Sequence, residues 1–435
     1  MKLNMEAFQQ KVQPIANNLS ENRYLKAIMG GMMAALPAVI IGSLAAILKQ
    51  LPIEAYQNFI ISNGIDHFLQ LPVTFTTNFL AVIFLISISN SLAETFDVKG
   101  IIPAIMALIS FFIITPVEPI IDDIGMASAI IPMQWLGATG IFTAIIVSIV
   151  STRLFVFITQ KGWTIKMPES VPPFIKNSFA SLIPGTIIVA LFVIITAIFA
   201  NTSFGSVHAF IYGLLQTPLQ QLGGNIWAIL IVALIGQLLW FFGIHGTMVT
   251  FSVVMPVWMA LDAQQLSAYS AGQELPNIVG LNFFAVYTFG GSALGLCILM
   301  IIARSKRYKT LGRLSIVPAA FGITEPVIFG TPLVFNPLFA IPFIFNNCIS
   351  LTLAYLATVV GIIPPLTGVT APAGMPIILQ GLMAGSWQTA LFQVALIVIW
   401  VGLWYPFFRI AEKQAIQQEN VKSEDDNKAS VRTVN

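Results

Sequence analysis

From residue 27 to residue 200 the chain is a series of apolar runs broken by short polar turns, and a chain of this kind has few folds open to it. The runs are about Ala27–Leu48, Pro72–Leu92, Gly100–Pro116, Leu136–Thr159 and Ser178–Ala200. Each is close to the roughly 17–25 residues that carry a helix across the hydrocarbon core. Only 9% of the 435 residues are charged, against about 25% in soluble domains. The fold class is therefore an all-α polytopic membrane protein. The polar stretch before residue 27 holds no apolar segment ending in a small-residue cleavage site, so no cleaved signal peptide is expected.

Beyond residue 200 the pattern is less regular. Residues 201–224 carry His208, Tyr212, Gln216, Gln220 and Gln221 among apolar residues and no charge, which reads as an interfacial amphipathic linker. Asn225–Gly243 is a clean span and leads into Gly243-Ile244-His245-Gly246-Thr247. Residues 246–260 form a short apolar piece, either a crossing or a hairpin arm, followed by a polar loop at 261–280. Leu281–Ala303 and Pro337–Ile363 read as spans, as does Gln388–Phe408. Segments 313–332 and 364–387, rich in Pro and Gly, read as re-entrant. The crossings then number ten with both termini inside, and every Lys and Arg except Lys49 and Arg153 falls on the inner side.

Two ionisable residues stand out at membrane depth. Glu325 is the sole acidic residue between Glu274 and Glu412, and Pro318, Gly322, Pro326, Gly330 and Pro332 surround it. A carboxylate at the bilayer centre costs about 2.5–3.5 kcal/mol on insertion scales. A broken segment at that depth must be buried in protein or line an aqueous cavity. His245 sits between glycines, which permit close backbone approach. His67 lies in a polar loop and His208 in the linker. One His and one Glu do not make a metal site, and neither a GxSxG nor a Walker A sequence occurs. Cys297 and Cys348 lie in apolar runs and read as small buried hydrophobes. Neutral polar and aromatic groups suited to a sugar are Trp240, Thr247, Asn282, Thr324, Asn336 and Trp387, whereas Gln380 reads as a helix–helix amide.

Gly-Ile-His-Gly at 243–246, followed by Ile-Thr-Glu-Pro-Val-Ile-Phe-Gly at 323–330, resembles the permease IIC component of the bacterial sugar phosphotransferase system. The resemblance is to its lactose/cellobiose/diacetylchitobiose branch and covers about residues 5–410. It implies a multi-pass protein of the bacterial cell membrane, a homodimer, that binds a β-linked disaccharide outside and works without a cofactor or nucleic acid. The chain would be a transport subunit, with the phosphoryl donor cysteine on a separate cytoplasmic IIB protein, since the tail after 408 lacks cysteine. His245 and Glu325 would hold the sugar 6-hydroxyl, one of them accepting its proton. Gly246, Thr247, Trp240, Asn282, Thr324, His208 and Trp387 would complete the substrate site.

The implied domains are a cytoplasmic segment 1–27, a scaffold and dimerisation domain 28–200, the linker 201–224, a sugar-carrying domain 225–408 and a cytoplasmic tail 409–435. Thr324 departs from the Asn found in many relatives. Arg304, Lys306, Arg307 and Lys309 form a basic run that sets topology or docks the donor. A proton-coupled secondary transporter is the alternative reading of the same His and Glu.

Overall fold

The computed structural model describes residues 13–19, 21–121, 127–168, 170–289, 293–372 and 374–433. Residues 1–12 and 20 of the expected N-terminal segment therefore lie outside the described residues, as do 290–292 within the expected span Leu281–Ala303. Helices dominate. In the first half they are α1 (Arg23–Ala34), α2 (Leu36–Lys49), α3 (Ile65–Thr76), α4 (Leu80–Glu94), α5 (Ile101–Ile114), α6 (Ile141–Gln160) and α7 (Leu182–Ala200). A two-stranded antiparallel hairpin, β1 (Glu118–Ile121) and β2 (Ala127–Ile130), pairs Glu118 with Ile130. Asn22 starts α1 by accepting the main-chain N–H groups of Tyr24 and Leu25 at 3.0 and 3.2 Å. His67, expected in a loop, lies in α3.

The linker region contains α8 (Val207–Ile211) and α9 (Thr217–Gly223), and α10 (Ile226–Phe241) bends 70° away from it. Then come α11 (Gly246–Ser270), α12 (Leu281–Thr288), α13 (Ala293–Ile301), α14 (Lys306–Ala320), α15 (Glu325–Gly330), α16 (Ala340–Val359), α17 (Ile377–Ala384) and α18 (Trp387–Thr433). Among the described residues, eight helices are long and apolar enough to cross a membrane, or nine if the bent pair is one span. The expected ten included α5 and α10, of 14 and 16 residues. At 1.5 Å per residue these reach only about 21 and 24 Å. Neither α14 nor α15 is among the helices long and apolar enough to cross; a left-handed Gly322, φ +83°, turns the chain between them.

One sequence expectation is corrected. Residues 246–260 are not a short piece: α11 continues into the expected loop as far as Ser270, as one 25-residue helix long and apolar enough to cross a membrane. Its polar residues find partners inside the protein. Gln265 donates to the Leu366 carbonyl at 2.8 Å and accepts from Asn277 N at 2.7 Å, and Gln264 donates to Gln220 at 3.2 Å. In the linker some polar groups likewise turn inward, while Gln221 is exposed. His208 and Gln216 are fully buried, and Gln216 donates to the Ala138 carbonyl at 2.9 Å.

Two hydrophobic cores result, and α11 serves both. Met255, Met259 and Ala263, spaced by four, join the core of the first half with Phe84, Phe111 and Phe155. Trp258 and Leu261 point the other way, to the core with Phe283, Tyr287 and Trp400. Where α11 ends, Lys49 and Gln50 of the first half both donate to the Ser270 carbonyl at 3.2 Å, a cation placed at the negative end of the helix.

Candidate functional site

The His245 motif is the turn between α10 and α11. Gly243, φ +78°, reverses the chain, and His245 caps α11 with Nδ1 accepting from Met248 N at 3.3 Å. In a neutral ring that places the proton on Nε2. The imidazole faces Trp240 at 4.3 Å between ring centroids, and Trp240 Nε1 donates to Thr247 Oγ1 at 3.2 Å. Gly246 is buried; a Cβ there would stand 1.9 Å from the Gly236 carbonyl oxygen. This glycine thus permits a close approach between α10 and α11.

The second motif begins α15. Pro326, in its first turn, needs no N–H partner, and the Thr324 carbonyl accepts from Val327 and Ile328 N at 3.0 Å each. Thr324 is half-buried and Glu325 exposed. Among the described residues, no hydrogen bond or ion pair joins Glu325 to His245 or to any other group. What joins the motifs is main chain. Phe335 N donates to the Phe241 carbonyl at 3.0 Å, with the Phe335 ring against Phe242. Phe335 is held at φ 56°, a costly conformation for a bulky side chain.

Thr247 lines a cavity of about 590 Å³ together with Lys26, Phe251, Asn282, Phe289 and Gln380, whereas Trp240, His245, Gly246, Thr324 and Glu325 stand outside its lining. Thr247 follows His245 by two residues. Gly322, three before Glu325, packs so tightly on Phe289 that a Cβ would come within 3.3 Å of its ring. The lining is mainly apolar with a few polar groups, the usual make-up of a small-molecule site. Asn282 is 6% exposed. Among the described residues, Asn282 Nδ2 and Gln380 Oε1 are both buried without a hydrogen-bond partner, so they offer a ligand a donor and an acceptor.

Asn282 is fixed by a residue that sequence reasoning missed. Asp262, 9% exposed in mid-α11, accepts from Asn282 N at 2.8 Å and so caps the start of α12. Gly280 makes room for it, since a Cβ there would lie 2.1 Å from Asp262 Oδ1. The signal was present: the apolar spacing 255, 259, 263 and 258, 261 carries the helix past Asp262. Lys26, also missed, reaches the cavity from α1 because that helix starts at Arg23, before the expected boundary.

Three further candidates also stand outside the lining. His208 is packed in the first half between Phe111 and Trp135, at ring distances of 5.0 and 5.1 Å, with Nε2 3.1 Å from Thr115 Oγ1. It does not line the cavity. Trp387 begins α18 with 65% of its surface exposed, outside the lining. Asn336 is a local cap: it donates to the Pro332 carbonyl and accepts from Leu338 N, each at 3.1 Å. Near the start of α14, Glu412 accepts from Arg304 N at 2.5 Å, while Glu419 accepts from Lys306 and Arg307 N at 3.1 and 3.0 Å. The exposed basic run is thereby held against α18.

The chain resembles proteins of one kind along nearly its whole length. The family model described as Phosphotransferase system, EIIC matches residues 29–346. A permease IIC component, YwbA, of Bacillus subtilis (strain 168) is 36% identical over 435 residues, covering 96% of this chain and 98% of that protein. The cellobiose-specific EIIC component of Geobacillus stearothermophilus is 34% identical over 425 residues, 94% of each chain. The crystal structure of the transporter ChbC, the IIC component of the N,N'-diacetylchitobiose-specific phosphotransferase system, superposes with a TM-score of 0.88. It is 36% identical, covering 95% of this chain and 99% of that one. The protein belongs to the EIIC family of the sugar phosphotransferase system, as a multi-pass membrane permease component.

Proposed function

We propose that this permease component imports a β-linked disaccharide of the cellobiose or diacetylchitobiose type and presents its 6-hydroxyl to a separate phosphocysteine IIB protein. The observation that supports this reading is the main-chain bond from Phe335 to Phe241, which ties the chain just after the Glu325 motif to α10 just before the His245 motif. The two residues then take different roles. His245 Nδ1 is engaged by Met248 N, so Nε2–H is a donor to the sugar oxygen. Glu325, whose carboxylate has no protein donor, is the proton acceptor. As the hydroxyl proton passes to Glu325, its oxygen attacks phosphorus and the S–P bond breaks, leaving the cysteine thiolate. Such transfer depends on alignment and charge more than on covalent assistance from the protein.

The remaining assignments follow the same reading. Residues 28–200 form a scaffold and dimer interface, 225–408 carry the sugar, and 201–224 connect them, with both termini cytoplasmic. The two-faced packing of α11 supports relative movement along that helix. The exposed Arg304, Lys306, Arg307 and Lys309 supply a docking face for the donor.

Reconstituted vesicles test the reaction. With the phosphorylated donor proteins inside, cellobiose should appear as its 6-phosphate and should do so in the presence of a proton uncoupler. Free cellobiose concentrated inside, and lost on uncoupling, would favour proton-coupled transport instead. A binding screen on purified protein ranks cellobiose against diacetylchitobiose and lactose. In that assay Trp240→Ala should raise the sugar Kd about tenfold, roughly 1.4 kcal/mol, because the indole supports both His245 and Thr247. An unchanged Kd would leave Trp240 with a packing role alone.

A further inference from the structure

The helix α11 runs past three voids in succession. Thr247, Phe251 and Met255 line the 590 Å³ cavity. Met259, Asp262 and Leu266 line a gap of only about 20 Å³. Gln264, Ser267 and Ala268, at the far end, line a third void of about 580 Å³. The voids are linked through common walls. Leu36, Leu281 and Thr370 line both the first and the second, and Thr77 lines both the second and the third. From Thr247 to Ser267 the helix rises about 30 Å, the thickness of the hydrocarbon core. The end voids therefore lie toward opposite ends of α11, with the narrow gap between them.

We infer that the third void is a second saccharide-binding site, where the sugar is held before it passes the gap beside Asp262. This rests on the sugar-permease reading given above. The void matches the first cavity in volume, and it is the more polar of the two. Asn78, Gln134 and Thr139 come from the first half, Tyr212 from the linker, and Gln273 and Glu274 from the loop after α11. Amides and hydroxyls both donate and accept, as the hydroxyls of a sugar require, and the Tyr212 ring and Pro276 offer flat apolar surface for its C–H face. No Lys, Arg or His lines the void among the described residues, so an anionic ligand such as a sugar phosphate is poorly matched there. The gap is walled by Leu36, Val39, Leu80 and Leu266. A hydrated sugar does not fit through 20 Å³, so transit requires the first half to move against α11.

Labelling of the full-length purified protein tests this. Gln273 is exposed, so Gln273→Cys should fold and react with a bulky maleimide, against the wild-type protein as background. If occupancy alone blocks the reagent, cellobiose at twice its Kd slows labelling about threefold. The slowing should persist when Asn282→Leu removes the amide from the first cavity. It should be lost when Gln134→Ala is added instead. No slowing by cellobiose, in protein that calorimetry shows to bind it, overturns the second site but not the permease reading. Slowing that disappears with Asn282→Leu assigns the effect to the first cavity and likewise overturns the second site. If the wild-type protein binds none of the β-linked disaccharides, the functional reading falls and the second site with it.

Discussion

Glu325→Gln leaves the protein inserted and able to bind cellobiose, and lowers the rate of sugar phosphorylation by about 10²–10⁴-fold, the range lost when a positioned general base is removed. The substitution keeps the shape of the side chain and one acceptor oxygen, and takes away the capacity to gain a proton. Little stability should change with it, because Glu325 is exposed and no protein donor holds its carboxylate. The measurement is formation of cellobiose 6-phosphate by vesicles supplied with phosphorylated donor proteins, alongside calorimetric binding of the unmodified sugar. Phosphorylation within twofold of the wild-type rate would remove Glu325 from the proton-accepting role. His245→Asn is the matched comparison. Asn also caps helices well, so the start of α11 should survive while Nε2 is lost. A larger effect on sugar binding than Glu325→Gln produces is expected, in keeping with a hydrogen-bond donor rather than a base.

How much of this was legible in the sequence varies with the range of the forces involved. Glu325 was found because its surroundings are local: the Pro and Gly residues that turn α14 into α15 are its near neighbours in the chain. The membrane class and the two motifs were likewise written in short stretches. The last ten residues of α11, Asp262 among them, were lost to an expected loop because Asp262, Gln264 and Gln265 within four positions look solvent-facing. Their partners are Asn282, Leu366, Asn277 and Gln220, which only the tertiary fold brings near. His208 and Gln216 misled for the same reason. A polar residue in an apolar helix signals an unmet hydrogen bond, but not whether lipid interface, ligand or neighbouring helix will meet it. The motifs' connection through Phe335 was invisible too, being a main-chain bond to Phe241 that leaves no mark on side-chain pattern.

The glycine of the His245 motif carries the other large expected effect. A Cβ added at Gly246 would stand 1.9 Å from Gly236 O, 2.7 Å from its carbonyl carbon and 2.9 Å from its Cα. These are main-chain atoms of α10, with no flexible side chain to give way, so the two helices must separate. Overpacking in a filled core costs about 1–3 kcal/mol and sometimes more. Separation here would also pull Trp240 on α10 away from Thr247 and His245. Gly246→Ala should therefore lower the thermal midpoint in detergent and weaken cellobiose binding together. Gly236→Ala, at the same crossing, should do neither to a comparable degree. A Cβ at Gly236 finds its nearest neighbour, Thr250 Oγ1, at 3.6 Å, an ordinary contact. Equal behaviour of the two variants would show that the helix approach is not what requires glycine. A Gly246→Ala protein that melts normally but fails to bind sugar would return Gly246 to direct contact with the substrate. The asymmetric result instead makes α10 a spacer: its distance from α11 sets where His245 stands, and so where the sugar hydroxyl is held.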